Sequence, residues 1–109
     1  MIRRSPQSVR VIKEADGRLA ARTKAMPTCV GYGSTDAEAL SDYFAVRTEL
    51  ERRDAPVLEQ EGGVWTAQSR RYPGCVGRGD RPSRAIAEVR KMEARASGAQ
   101  LEDYRIGSR

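Results

Sequence analysis

The sequence predicts an α+β protein built from two tandem β-β-β-α units that pack as a pseudo-twofold pair. The first observation behind this prediction is an internal repeat: residues 11–46 align with residues 57–92 without a gap. The second is that each copy contains two β-like runs, a short glycine-containing run and then a helical pattern. A lone unit of this length buries too little apolar surface to be stable, so the two copies are expected to share a core.

The duplication is visible in residues that recur at equivalent places in the two copies. The identical pairs are Val11/Val57, Gly17/Gly63, Ala21/Ala67, Pro27/Pro73, Cys29/Cys75, Val30/Val76, Gly31/Gly77, Gly33/Gly79 and Ala39/Ala85. An ungapped match that includes glycines and prolines predicts the same chain path in both copies.

Each copy opens with a predicted β-hairpin. The dipeptides Asp16–Gly17 and Gly62–Gly63 fit two-residue turns, because these turns need positive φ at their centre. In the second strand of each hairpin, small or apolar residues alternate with more polar ones. The alternation predicts that Leu19 and Trp65 face a helix and are buried, while the basic residues point to the open face of the sheet.

The third run of each copy, CVGYG or CVGRG, follows a strand-ending proline, Pro27 or Pro73. Its glycines predict a bend, a bulge or the close approach of another backbone, and their spacing lacks the features of a phosphate-binding loop. Thr35 and Glu38 then fit a capping box that starts the first helix, with Glu38 reaching back to the amide of the cap residue. Pro82 suits the first turn of the second helix.

Apolar residues at helical spacing predict the buried faces of both helices. These residues are Leu40, Tyr43, Phe44 and Leu50 in the first helix, with the aliphatic stem of Arg47 at the edge of the face, and Ala85, Ile86, Val89, Met92 and Ala96 in the second. The predicted organisation is a basic N-terminal arm at residues 1–8, a first unit at 9–53, a second unit at 54–96 and a C-terminal tail at 97–109.

The composition narrows the possible functions. The chain of 109 residues carries a formal net charge of +5, and basic proteins favour nucleic acid, anionic membranes or acidic protein surfaces. No apolar run is long enough to cross a bilayer, and the N-terminus lacks the apolar core of a secretory signal. A cytoplasmic protein without a membrane partner is therefore expected.

The residues offer little for catalysis. Histidine is absent, which removes the commonest general base and the commonest metal ligand. The two cysteines form no CxxC pair and are predicted to be reduced, small apolar side chains. The acidic residues show no pair suited to metal binding or to acid–base chemistry. We therefore expect a protein that is not an enzyme and that has no metal or cofactor.

Residues 62–94, GGVWTAQSRRYPGCVGRGDRPSRAIAEVRKMEA, resemble the HicB-like antitoxin domain. The shared pattern is a hairpin, then Pro-Gly-Cys, then a Gly-Asp step and the start of a helix. The matching residues are Pro73, Gly74, Cys75, Gly79, Asp80 and Ala85 in the second unit, and Pro27, Cys29, Gly33, Thr35, Glu38, Ala39 and Leu40 in the first. Together the matches cover most of residues 9–96.

The resemblance implies a partial RNase H-like fold of three antiparallel strands and a helix, without the metal-binding carboxylates of a true RNase H. It also implies a protein that acts by binding, typically by covering the surface of a small RNA-cleaving HicA toxin. Many family members carry a C-terminal DNA-binding segment, and residues 97–109 are too few for a helix-turn-helix. With two units, this chain is expected to form internally the pair that single-unit relatives form by dimerising, and a further homodimer stays open.

Two functions from different classes remain open, and catalysis is disfavoured. The first is inhibition of a protein partner, such as a HicA-like toxin or another nucleic-acid-handling protein or complex, with an inhibitor carried by a mobile element as one form of it. The second is direct nucleic-acid binding by the basic face of the sheet, although only 6% of the residues are aromatic and able to stack on bases. The residues predicted to contact the partner are Arg18, Arg22, Lys24, Gln68, Arg70 and Arg71.

Overall fold

The computed structural model describes the backbone of residues 9–107 and the side chains of residues 9–98. The basic arm predicted at residues 1–8 lies outside the described residues. The elements follow one another as β1 (Arg10–Lys13), β2 (Leu19–Arg22), β3 (Gly31–Gly33), α1 (Asp36–Leu50), β4 (Val57–Glu61), β5 (Val64–Gln68), β6 (Val76–Gly79) and α2 (Pro82–Gly107).

The strands form two separate antiparallel sheets, each covered by the helix that follows it. The first sheet has the order β1-β2-β3 and the second the order β4-β5-β6. α1 packs on the first sheet, α2 packs on the second, and the two helices contact each other. The buried apolar residues of both units belong to one cluster. The predicted α+β architecture, with the β-β-β-α order repeated around a shared core, is thus confirmed.

The glycines of the third strands let each helix lie directly on its sheet. A Cβ on Gly31 would overlap the backbone of Ala39 and Tyr43, and a Cβ on Gly77 would overlap the backbone of Ala85 and Val89. A close backbone approach is one of the explanations that the sequence offered for these glycines, and the structure selects it.

The two hairpins turn differently. In the second unit, Glu61 pairs with Val64, so Gly62–Gly63 forms the predicted two-residue turn, with Gly62 at a φ of 64°. In the first unit, Lys13 pairs with Leu19 and five residues form the loop. Here the Glu14 amide donates to the Arg18 carbonyl at 2.8 Å, and the Gly17 amide donates to the Glu14 carbonyl at 2.9 Å. The prediction of a two-residue turn at Asp16–Gly17 was wrong. Gly17 does have positive φ, 91°, but in a longer, bulged loop.

This loop moves the pairing of β1 by one residue relative to the sequence repeat. Val11 lies opposite Ala21 in the first sheet, whereas Leu58 lies opposite Ala67 in the second. A shift of one residue turns a strand's side chains to the other face. Ile12 is therefore 47% exposed on the open side, although Leu58, its counterpart in the alignment, is only 6% exposed.

α1 begins at the predicted cap but buries a narrower face than predicted. Thr35 Oγ1 accepts from the Glu38 amide at 3.1 Å, while Glu38 Oε1 accepts from the amide of Ser34, one residue before the cap. The fully buried side chains are Ala39, Tyr43 and Val46. The prediction that Phe44 is buried was wrong, because Phe44 lies about 100° around the helix from Tyr43 and is 50% exposed.

α2 begins at Pro82, as predicted, and continues to Gly107, so residues 97–107 extend the helix and do not form a separate tail. Ala85, Ile86 and Val89 are buried as predicted, but Met92 is 36% exposed and its neighbour Glu93 is buried in its place. Neither of the helices that the structure describes has the length and apolar character needed to cross a membrane.

Candidate protein-binding face

The side of each sheet that faces away from its helix is the obvious surface for a partner. Because Gly31 and Gly77 lie against the helices, residues of the opposite alternation lie on the open sides. We call the open side of the first sheet the basic face; it comprises Arg10, Ile12, Arg18, Ala20, Arg22 and Tyr32. We call the open side of the second sheet the acidic face; it comprises Val57, Glu59, Glu61, Val64, Thr66, Gln68, Val76 and Arg78.

The basic face is partly closed by its own arginines. The Arg18 guanidinium lies 3.9 Å above the centre of the Tyr32 ring, in a cation–π contact. Arg22 donates to Glu14 Oε1 at 3.0 Å and lies 3.5 Å from the Tyr32 hydroxyl. Tyr32 is consequently 2% exposed, although it points away from α1. Two of the predicted contact residues thus have partners within the chain.

Arg18 also connects the two units. Its Nε lies 2.8 Å from the Asp16 carboxylate, and its Nη1 donates to the backbone carbonyl of Asp80 at 2.9 Å. From the second unit, Arg81 Nη1 donates in the opposite direction to the Tyr32 carbonyl at 3.3 Å. These contacts fix the edge of β3 beside the start of α2.

The other predicted residues are not gathered on one surface. Lys24 is exposed at the end of β2, and Gln68 is exposed on the acidic face. Arg70 donates from Nε to the Ala55 carbonyl at 2.7 Å, and Arg71 lies 4.0 Å from the Asp54 carboxylate, so both lie beside the linker between the units. The residues that the sequence predicted to contact the partner therefore do not form one surface, because the open faces of the two copies carry different residues.

The acidic face was not identified from the sequence. Glu59 and Glu61 are exposed, and neither forms an ion pair with any side chain that the structure describes. Val57 and Val64 beside them are 44% and 48% exposed. A concavity of about 630 Å³ lies over this surface, and Glu59, Glu61, Val64, Thr66 and Arg78 are among its lining residues. The side chains of β4, VLEQE, alternate between the two sides of the sheet, and this pattern would have identified the acidic face if the pairing register of β4 with β5 had been known.

A polar cluster joins the units on the helix side. Arg90 of α2 donates from Nε to Glu49 of α1 at 3.0 Å and from Nη1 to Glu93 at 2.8 Å. The buried Glu93 also accepts from the Ser69 hydroxyl at 2.5 Å. Ser69 Oγ in turn accepts from the amides of Arg71 and Tyr72, at 3.1 and 3.0 Å. The cluster holds the turn after β5 against both helices, which assigns it a structural role.

Glu93 should make the stability of the protein depend on pH. Burial acts to raise the pKa of Glu93, but the hydrogen bonds from Ser69 and Arg90 outweigh burial and lower the pKa below its usual value of 4.5. A carboxyl group with a lowered folded-state pKa stabilises the fold above its unfolded pKa, and this contribution is lost as the pH falls. We expect Glu93→Gln to reduce the free energy of unfolding by about 1–3 kcal/mol at neutral pH. Urea titrations should show this difference shrinking as the pH falls below about 4.

The control for this experiment is Glu88→Gln, because Glu88 lies on the same helix with a partly exposed side chain whose Oε2 is 3.7 Å from Lys91 Nζ. It should change the free energy of unfolding by less than about 0.5 kcal/mol at either pH. A Glu93→Gln difference that is equally large at pH 7 and pH 3 would contradict the assigned role of the carboxylate.

The two cysteines are free, and Cys29 is buried while Cys75 is partly exposed. Burial raises the pKa of the Cys29 thiol to about 11, and its Sγ lies 3.6 Å from the Tyr43 carbonyl oxygen. At pH 8 only about one Cys29 in a thousand is then a thiolate, the form that reacts. Iodoacetamide should label Cys75 first in the folded protein, and Cys29 only after denaturation, as measured by peptide mass spectrometry. Equal labelling rates in the folded protein would show that Cys29 is accessible.

The side chains that the structure describes contain no group of three or more Cys, Asp or Glu placed to hold a metal ion. Of the two open sides, the acidic face has the larger share of exposed side chains, since Ala20 and Tyr32 on the basic face are buried. Comparisons of the chain with protein-family models, with curated proteins and with solved structures find no match.

Proposed function

We propose that this protein is a non-enzymatic binding protein of HicB-like antitoxin type that inhibits a protein partner. The partner is an RNA-cleaving toxin of HicA type or another nucleic-acid-handling protein, and a mobile element is one origin for such an inhibitor. The observation that carries the proposal is the acidic face, which combines exposed carboxylates with exposed valines on one side of a sheet.

The charge of this face suits such a partner. Proteins that bind RNA do so with basic surfaces, because the phosphate backbone dominates their affinity. The chain has a net charge of +5, yet Glu59 and Glu61 are exposed and unpaired among the described side chains. Charge complementarity of this kind speeds encounter and selects the partner.

The exposed valines supply the apolar part of the contact. Val57 and Val64 lie beside the two glutamates and are about half exposed. Protein interfaces combine an apolar centre with a polar rim, and this face has both. Arg78 lies in the same row of the sheet as Glu59 and Thr66 and adds one positive charge, which can pair with an acidic residue of the partner.

Inhibition of a purified HicA-type RNase tests the proposal, with cleavage of a labelled RNA as the measurement. We expect the parent protein to inhibit cleavage, and we expect Glu59→Lys combined with Glu61→Lys to raise the inhibition constant at least about tenfold. Both changes are at exposed strand positions, so the thermal midpoint should stay nearly unchanged.

The control for net charge is Glu51→Lys combined with Glu88→Lys, which changes the net charge equally at two positions away from the acidic face, the residue that follows α1 and a partly exposed residue of α2. It should inhibit like the parent. If the strand variant also inhibits like the parent, the acidic face is not the contact. If the parent itself fails to inhibit, a HicA-type toxin is not the partner.

A second candidate function is direct nucleic-acid binding by the basic face. The observation in its favour is that Arg10 lies directly opposite Arg22 in the sheet, with Lys24 exposed just beyond. Against it, Arg18 and Arg22 are already paired within the chain, and Tyr32 is too buried to stack on a base. Salt-sensitive binding of the labelled RNA by this protein alone, without the RNase, would favour this second function.

A further inference from the structure

The two units present opposite charges on faces that are equivalent in the fold. The basic face carries Arg10, Arg18 and Arg22, and Glu14 and Asp16 neutralise only the last two. Arg10 and the nearby Lys24 form no ion pair with any side chain that the structure describes. On the acidic face, Glu59 and Glu61 likewise form no ion pair with any side chain that the structure describes. A duplicated fold has therefore acquired two unlike surfaces.

Each face also exposes apolar side chains beside its unpaired charges. Ile12 is 47% exposed on the basic face because the bulged loop before β2 turns it outward. Val57 and Val64 are 44% and 48% exposed on the acidic face. The open side of an antiparallel sheet is usually polar. These exposed apolar side chains are therefore surface that would become buried if a partner bound to the face.

We propose that the protein self-associates, with the basic face of one copy against the acidic face of a second copy. In this contact Arg10 and Lys24 of one copy pair with Glu59 and Glu61 of the other, and Ile12 packs against Val57 and Val64. Like faces do not meet, because each would bring unpaired charges of one sign together. The contact covers the acidic face, so self-association and binding of a basic partner exclude each other.

The inference does not depend on the proposed function, and its experiment needs only the purified chain. Sedimentation velocity of the parent at about 0.01 M salt should show an average mass that rises with protein concentration. At about 1 M salt, where exposed charges are screened, the average mass should return to that of the monomer.

Two charge-reversal variants make the test specific. The first, Arg10→Glu with Lys24→Glu, leaves both faces acidic, and the second, Glu59→Lys with Glu61→Lys, leaves both faces basic. Each variant alone should remain monomeric at low salt, with its association constant lowered at least about tenfold. An equimolar mixture of the two should associate again, because the acidic faces of one variant meet the basic faces of the other.

The experiment with the mixture distinguishes loss of this specific contact from a general effect of net charge or from misfolding of a variant. Circular dichroism should show that both variants keep the parent's thermal midpoint, since all four positions are exposed. A parent that stays monomeric at low salt overturns the inference. So does a variant that associates by itself like the parent, or a mixture that remains monomeric while the parent associates.

Discussion

Replacing Trp65 with alanine should lower the free energy of unfolding by about 3–5 kcal/mol. The indole lies on the helix side of β5, between Gln60 and Gly79 in the neighbouring strands, and is 2% exposed. It belongs to the one cluster of buried apolar residues that both units share. Removal of the indole leaves a cavity. This cavity cannot close, because the helix and the sheet already pack backbone to backbone. Small domains are stable by about 5–15 kcal/mol, so much of the stability should be lost.

Two further variants locate the effect in the indole. Val64→Ala changes the neighbouring residue on the open face, which is 48% exposed, and should alter the free energy of unfolding by about 0.5 kcal/mol or less. Trp65→Phe should cost less than alanine, because it keeps most of the buried ring and removes Nε1, which has no hydrogen-bond partner among the described residues. Urea titration gives all three values. A loss below about 1 kcal/mol for Trp65→Ala would contradict the burial of the ring.

Replacing Gly77 with alanine should lower the free energy of unfolding by about 3 kcal/mol. The added Cβ would overlap backbone atoms of Ala85 and Val89, which cannot move away as the end of a side chain can. α2 must then separate from β6, and the packing of both against Trp65 loosens. Gly31→Ala should have a similar effect in the first unit, where the Cβ would meet the backbone of Ala39 and Tyr43.

The matched control is Gly74→Ala, three residues before Gly77 in the turn that leads into β6. A Cβ on Gly74 has no atom within 4 Å, and Gly74 is not among the glycines with positive φ. Its replacement should change the free energy of unfolding by less than about 1 kcal/mol, in either direction. If Gly77→Ala is as well tolerated as Gly74→Ala, the helix does not lie directly on the strand.

The ungapped repeat determined the order and type of the elements. It predicted β-β-β-α twice and the burial of Trp65, and it offered close backbone approach as one of three explanations for Gly31 and Gly77, because each of these depends on local residue type and spacing. Leu19, predicted to be buried like Trp65, is only partly buried, since it packs at the margin of the core. Pro82 and Thr35 marked the helix starts for the same local reason: proline and capping residues act within one turn.

The acidic face, the candidate binding surface, could not be predicted in this way. The alignment pairs Ile12 with Leu58, but the bulged loop at Gly17 shifts β1 by one residue, and the two side chains point to opposite sides. The predicted contact residues Arg18 and Arg22 were found paired with Asp16, Asp80 and Glu14. Which arginine is free depends on which carboxylate lies nearby, and that is a property of the folded chain.

Periodicity and backbone preference are encoded in neighbouring residues, so the fold class and the duplication followed from the sequence alone. The differences between the two copies became visible only in the folded chain. It showed Glu59 and Glu61 of the second unit unpaired beside exposed valines, and it showed Tyr32 of the first unit covered by Arg18 and Arg22 of the same unit. The register of a strand fixes which of its two alternating sets of side chains faces solvent, and a register shift of one residue exchanges the two sets.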